Sequence, residues 1–188
     1  MSGNIDILHE QGRGKSFSDE IRILCGVNIS TCLQCRTCAS VCPFYEAMGH
    51  APHTLFRKIQ YGLRQDVLTS SAIWICVGCN TCASQCPAGI DIVAVMDVLR
   101  QLALETNMPI PEEDILNFHR EVLHSIERYG RTHKLEIMLR YKIKSGHLLA
   151  DLDTGMIMLA KRKLDLRPSR VHAVNEIKRL FKKTWQET

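Results

Sequence analysis

The stretch Cys32-Leu33-Gln34-Cys35-Arg36-Thr37-Cys38-Ala39-Ser40-Val41-Cys42-Pro43 is written a second time as Cys76-Val77-Gly78-Cys79-Asn80-Thr81-Cys82-Ala83-Ser84-Gln85-Cys86-Pro87. Both copies read C-x2-C-x2-C-x3-C-P, they lie 44 residues apart, and together they hold eight of the nine cysteines. The repetition extends beyond the cysteines to Thr37/Thr81, Ala39/Ala83 and Ser40/Ser84. Shared residues with no ligand chemistry of their own argue that a whole local geometry was duplicated.

The spacing is that of 4Fe–4S clusters, which move electrons one at a time. Two-residue gaps let successive sulfurs face one centre, while backbone N–H groups can bond to cluster sulfurs. In two-cluster proteins of this pattern the fourth cysteine ligates the other cluster. The expected ligand sets are therefore Cys32, Cys35, Cys38 and Cys86 for one cluster, and Cys76, Cys79, Cys82 and Cys42 for the other. Structural zinc would favour two separated C-x2-C pairs. A disulfide framework would favour an even cysteine count and a secretory leader. Residues 1–15 carry Asp6, Glu10, Arg13 and Lys15 without an apolar run, so a reducing, cytoplasmic setting is expected.

The length of 188 residues suits one domain, or one domain with an appendage. No apolar run approaches the ~18 residues of a membrane span, so no direct span is expected. The net charge of +4 is uneven. Nine Lys and Arg fall between Lys161 and Lys183 against only Asp165 and Glu176. Either a solvated face or docking to an acidic protein surface would account for them. No nucleic-acid motif accompanies the charge, and nucleic-acid binding is not expected.

Helical signals surround the cysteines. Residues 18–25 place Ile21, Leu24 and Cys25 on one side, with Gly26 as the stop. Pro52 suits a first turn, followed by Leu55, Phe56 and Ile59, with Gly62 at the end. Ser70 can cap a short segment carrying Ile73 and Trp74 to Cys76. Asp91 can cap a longer one with the stripe Ile92, Val95, Met96, Leu99, Leu102 and Ala103. After Pro109 and Pro111 a further stripe runs through Ile115, Phe118, Val122 and Ile126, with Leu116 and Leu123 beside it, to Gly130. Leu135, Met138 and Leu139 suggest one more helix. Val171, Val174, Ile177, Leu180 and Phe181 mark a basic amphipathic helix over 170–183, either a docking arm or a helix folded back on its own domain. No alternating strand is visible. The expected fold is mainly α: an N-terminal arm (1–16), an α-helical ferredoxin domain with two 4Fe–4S clusters (17–106), a helical extension (107–145), and a linker with a basic C-terminal docking arm (146–188).

Residues 17–106 resemble the small iron–sulfur C subunit of heterodisulfide reductase. The resemblance is carried by both cysteine motifs and their offset, P-x-x-L-F-R-K-I-Q-Y-G-L at 52–63, I-W-I-C at 73–76 and C-P-A-G-I-D-I at 86–92. It implies a non-catalytic relay. Electrons would pass from a flavin-bearing A subunit through this chain's clusters to a catalytic B subunit, whose Cys-Cys-containing domains reduce the coenzyme M–coenzyme B heterodisulfide. Hydrogenase or formate dehydrogenase would feed the flavin-bearing partner. Related two-motif domains in glycolate oxidase and anaerobic glycerol-3-phosphate dehydrogenase are followed by Cys-Cys domains, whereas this sequence has no cysteine after Cys86. A freestanding two-cluster carrier, or the iron–sulfur subunit of another dehydrogenase, is the alternative reading.

Little else looks catalytic. His119 and His124, five apart, do not share a helix face. No Gly-rich dinucleotide fingerprint is present. Phe44 and Trp74, beside cluster ligands, are expected to shield the clusters from water. Arg36 stands where the repeat has Asn80, and a nearby cation favours a more reduced cluster, so the Cys32 cluster is expected to have the higher potential unless Arg36 is screened by solvent. Cys25, outside both motifs, reads as a small apolar residue, with a substitute-ligand or redox role as the alternative. Cys25→Ser is expected to leave the iron content of the anaerobically purified protein unchanged; loss of iron would make Cys25 a ligand.

Overall fold

The computed structural model describes residues 16–146, 156–158, 160–161 and 170–186. The expected N-terminal arm (all but Ser16) and most of the 146–169 linker lie outside them. The chain divides into two compact units, one ending at Glu112 and one beginning at Glu113. No strand occurs among the described residues, as the helical reading anticipated.

The first unit is two similar halves. In each, a short lead-in brings the chain to a cysteine loop, one helical turn carries the third cysteine, and a longer helix follows. The lead-ins are the 3-10 turn Ile29–Thr31 and α5 (Ser71–Ile75). The single turns are α2 (Thr37–Ser40) and α6 (Thr81–Ser84). The longer helices are α3 (Pro52–Gln60) and α7 (Ile92–Glu105). Aligning 52–60 with 92–100 pairs the buried Leu55, Phe56 and Ile59 with the buried Val95, Met96 and Leu99. It also pairs Gln60 with Arg100. Gln60 Nε2 donates to the Ile29 carbonyl at 3.0 Å, and Arg100 Nε donates to the equivalent Ile73 carbonyl at 2.5 Å. Arg100 also donates to the Cys76 carbonyl. Each long helix thus clamps the lead-in of its own half.

Local chemistry explains where these helices begin. Ser70 caps α5 by accepting from Ala72 N, and Asp91 caps α7 by accepting from Ala94 N at 3.0 Å. Pro52 occupies the first turn of α3, where its missing N–H costs nothing. The whole stripe Ile92, Val95, Met96, Leu99, Leu102 and Ala103 is buried. α1 (Phe17–Cys25), capped by Ser16 and ended at Gly26, packs on α7 and α3. Here the expected stripe needs correction: Ile21 is buried with Phe17, but Leu24 is 54% exposed. Cys25 is half-buried, its thiol donating to the Ile21 carbonyl at 3.1 Å. α4 (Arg64–Leu68), which no sequence signal had suggested, buries Val67 and Leu68 against α3 and α7.

The second unit contains α8 (Glu113–Tyr129), α9 (Lys134–Ser145) and α10 (Val174–Gln186), with α9 and α10 both against α8. The expected α8 stripe is corrected. Phe118 and Leu123 are exposed, and the buried positions are Leu116, Glu121, Ser125 and Tyr129. The seam is polar and partly paired, Glu121 Oε2 having no hydrogen-bond partner among the described residues. Lys144 Nζ lies 2.5 Å from Glu121 Oε1, and Ser125 Oγ accepts from His133 N at 2.8 Å. Ile137, not Leu139, anchors α9. Gly130 has φ +78°, and a Cβ there would fall 2.9 Å from Val171 and 3.0 Å from Ile177. The segment before α10 and its first turns therefore close directly over this turn, with Val171 N donating to the Tyr129 carbonyl at 3.0 Å. Leu180, expected on the apolar side, is 66% exposed.

Leu99→Ala, at a fully buried site in α7, is expected to cost about 2–5 kcal/mol in anaerobic denaturant unfolding. Leu24→Ala is expected to change it by no more than about 0.5 kcal/mol.

Candidate metal centre

All eight motif cysteines line two separate cavities. Cys32, Cys35 and Cys38 share the first with Cys86. Cys76, Cys79 and Cys82 share the second with Cys42. Each cavity thus meets three cysteines of one repeat and the fourth of the other. Apolar groups complete the walls, including Phe56, Pro87 and Ile92 in the first and Phe44, Met48 and Val93 in the second. α2 packs on α6, so the short helices carrying Cys38 and Cys82 meet where the halves join. Phe44 lies in the second wall as expected for a shield. Trp74 lines neither cavity; it is a buried core residue whose indole N–H has no hydrogen-bond partner among the described residues.

The loops reach this arrangement through left-handed backbone. Gln34 and Arg36 have φ +55° and +65°, and the equivalent Gly78 and Asn80 have +64° and +61°. Gly adopts this conformation freely and Asn with little penalty, whereas other residues lose about 1–2 kcal/mol. The repeated Thr and Ser residues make the same bonds in both halves. The Thr37 hydroxyl lies 3.3 Å from Cys35 Sγ, and that of Thr81 lies 3.5 Å from Cys79 Sγ. Ser40 and Ser84 each donate to the carbonyl three residues earlier at 2.9 Å.

The first cavity has two polar neighbours without a counterpart at the second. Gln34 Nε2 donates to Cys32 Sγ at 3.4 Å and to the His53 carbonyl at 3.0 Å. His53 Nδ1 lies 4.0 Å from Cys38 Sγ. Burial first, and the Arg36 charge second, hold His53 below its ordinary value. At the corresponding places the second half has Gly78 and Val93. The sequence reading singled out Arg36 but passed over Gln34 and His53. A glutamine aligned with a glycine was the available signal.

The thiols differ in acidity. Bonding to Thr37 and Thr81 lowers Cys35 and Cys79, both exposed. Burial raises Cys38, and burial with the charges of Cys76, Cys38 and Cys79 pushes Cys82 up to about 11. Among the described residues no three His, Cys, Asp or Glu side chains converge as a site for a single ion. Ligands of one zinc, at about 2.3 Å from the metal, would stand closer together. Four soft thiol donors spaced around a cavity fit an iron–sulfur cluster, whose several metal atoms spread its ligands apart.

This fold and ligand chemistry define an iron–sulfur protein of electron-transfer type. Residues 31–91 match the family of 4Fe-4S dicluster domains. The chain is also similar, at 26% identity over 109 residues, to the C subunit of the H(2):CoB-CoM heterodisulfide,ferredoxin reductase of Methanothermobacter thermautotrophicus; that match covers 58% of this chain and 55% of the relative, so about half of the relative's length is spanned. It is 26% identical over 160 residues to the iron-sulfur C subunit of the CoB--CoM heterodisulfide reductase of Methanopyrus kandleri, covering 83% of this chain and 72% of that one. No helix among the described residues is long and apolar enough to cross a membrane.

A thiol reacts as its thiolate, so a lowered pKa raises reactivity at fixed pH. In the metal-free chain near pH 8, iodoacetamide is expected to modify Cys35 and Cys79 several-fold faster than Cys38 and Cys82, as read by mass spectrometry.

Proposed function

We propose that this chain is the non-catalytic electron-relay subunit of a heterodisulfide-reductase-type complex in the cytoplasm. Two 4Fe–4S clusters would link a flavin-bearing subunit to the catalytic subunit that reduces the coenzyme M–coenzyme B heterodisulfide. The observation that carries the reading is the crossed lining of two adjoining cavities by eight cysteines. The names of the two relatives supply the complex.

In this reading Cys32, Cys35, Cys38 and Cys86 hold one cluster, and Cys76, Cys79, Cys82 and Cys42 hold the other. A bound cluster supplies one-electron redox chemistry, which the side chains of this protein lack. The chain's own part is to fix and insulate. Cys42 and Cys86 tie each half to the other's centre, so neither half can complete a four-thiolate site without its neighbour. The apolar walls, Phe44, Phe56, Met48 and Ile92 among them, keep water from the inner sides of the cavities and lower the local dielectric. Cys35 and Cys79 stay exposed, as do Leu33 and Val77 beside them, so each centre keeps one edge open to a redox partner. The raised thiols Cys38 and Cys82 must release protons when they become ligands, which makes cluster assembly less favourable as pH falls.

Anaerobic purification is expected to yield about eight iron and eight sulfide per chain. Cys86→Ser should perturb the same EPR signal as Cys32→Ser, and Cys42→Ser the same signal as Cys76→Ser. Pairing of Cys86 with Cys76 instead would refute the crossed ligand sets. A tagged chain that brings down a Cys-Cys-motif protein and a flavoprotein supports the complex; isolation as a lone, fully loaded carrier would favour a freestanding ferredoxin-type role.

A further inference from the structure

The two halves of the first unit differ beside their cavities: Arg100, which donates to the Cys76 carbonyl, stands where the first half has Gln60, and the loops and first helical turns differ as well. The first half has Gln34, Arg36 and His53; the second has Gly78, Asn80 and Val93 at the corresponding positions. Gln34 is the least expected of these. Its backbone lies at φ +55°, where its counterpart is a glycine at +64°. A side chain held in this conformation needs a compensating interaction. Both hydrogens of the Gln34 carboxamide have partners: Cys32 Sγ at 3.4 Å and the His53 carbonyl at 3.0 Å. A carbonyl can only accept, so the atom facing His53 is nitrogen, and the orientation of the amide follows.

We propose that Gln34 sets the potential of the centre held by Cys32. Reduction adds negative charge to a cluster and its thiolates, so an N–H aimed at a ligand sulfur favours the reduced form more than the oxidised one. Gly78 has no side chain with which to do the same for Cys76. The cation Arg36, where the second half has neutral Asn80, acts in the same direction. The bond to His53 ties the cysteine loop to the first turn of α3, which restrains the amide against Cys32 rather than leaving it to rotate into solvent. Gln34 is a positioning residue: it acts on the centre through Cys32. Gln34 therefore raises the potential of the Cys32 site above what a glycine at this position would give, while Arg100, on the Cys76 carbonyl, acts on the other site. This inference rests on the assignment of Cys32 as a cluster ligand.

The test compares wild type with Gln34→Gly as anaerobically purified, cluster-loaded protein, by EPR-monitored redox titration. The signal altered by Cys32→Ser identifies which midpoint belongs to that site. Gln34→Gly restores the residue found at 78 and relieves the backbone, so iron content and unfolding midpoint should be maintained or improved. The Cys32-site midpoint should fall, reducing its reduced-to-oxidised ratio at fixed ambient potential about three- to tenfold, or about 30–60 mV at 59 mV per tenfold for one electron. The other midpoint should stay in place. Should Gln34→Gly lose iron, Gln34→Met, of similar length and uncharged but without the N–H, must lower that midpoint instead. Retained clusters with unchanged midpoints overturn the proposal and leave Gln34 as a structural tether. A wild-type protein without two clusters overturns the cluster assignment itself.

Discussion

The first unit depends on one geometric constraint: four thiols line each cavity although only three come from one tight loop. A C-x2-C-x2-C segment can present three sulfurs inward by turning through left-handed backbone at 34 and 36, or at 78 and 80. The fourth cysteine, four residues further along, has left the loop by way of α2 or α6 and lies against the other cavity. Exchange of this last cysteine makes the halves interdependent. It also brings α2 and α6 together, with Cys38 and Cys82 near the junction.

The remaining helices of this unit hold that junction in place. α3 and α7 clamp the lead-in carbonyls through Gln60 and Arg100, and their apolar stripes form the core on which the cysteine loops sit. The division of labour is clear in the burial pattern. Leu55, Ile59, Val95 and Leu99 are fully enclosed, whereas Cys35 and Cys79 are exposed. Rigid support beneath and an open edge above suit a protein that must hold a redox group still and still let an electron reach it.

Duplication supplied two such sites, and substitution made them unequal. Arg36, Gln34 and His53 give the first cavity a cationic and hydrogen-bonding surround; Asn80, Gly78 and Val93 leave the second more apolar. Thr37 and Thr81, with Ser40 and Ser84, were retained in both because their bonds serve the loop in either half. Retained residues thus build the fold, and altered ones bias it.

Much of the first unit was legible in the sequence because its determinants are local. Cysteine spacing prescribes the loop, Ser70 and Asp91 cap their own helices, and the stripe from Ile92 to Ala103 follows the helical period on a face wide enough to be buried throughout. The second unit was less legible. Its apolar pattern suggested Phe118 and Leu123 as core, but the paired groups Glu121–Lys144 and Ser125–His133 make a polar seam buriable, and such pairs are made between helices. The same reason applies to Gln34 and His53, nineteen residues apart, whose contact with Cys32 and Cys38 exists only once α3 has folded beside the loop. The sequence by itself determined which eight cysteines line the two cavities and the helical frame around them, since each follows from spacing along the chain. Tertiary structure alone decided which neighbours each sulfur acquires, because packing brings together side chains that spacing does not relate.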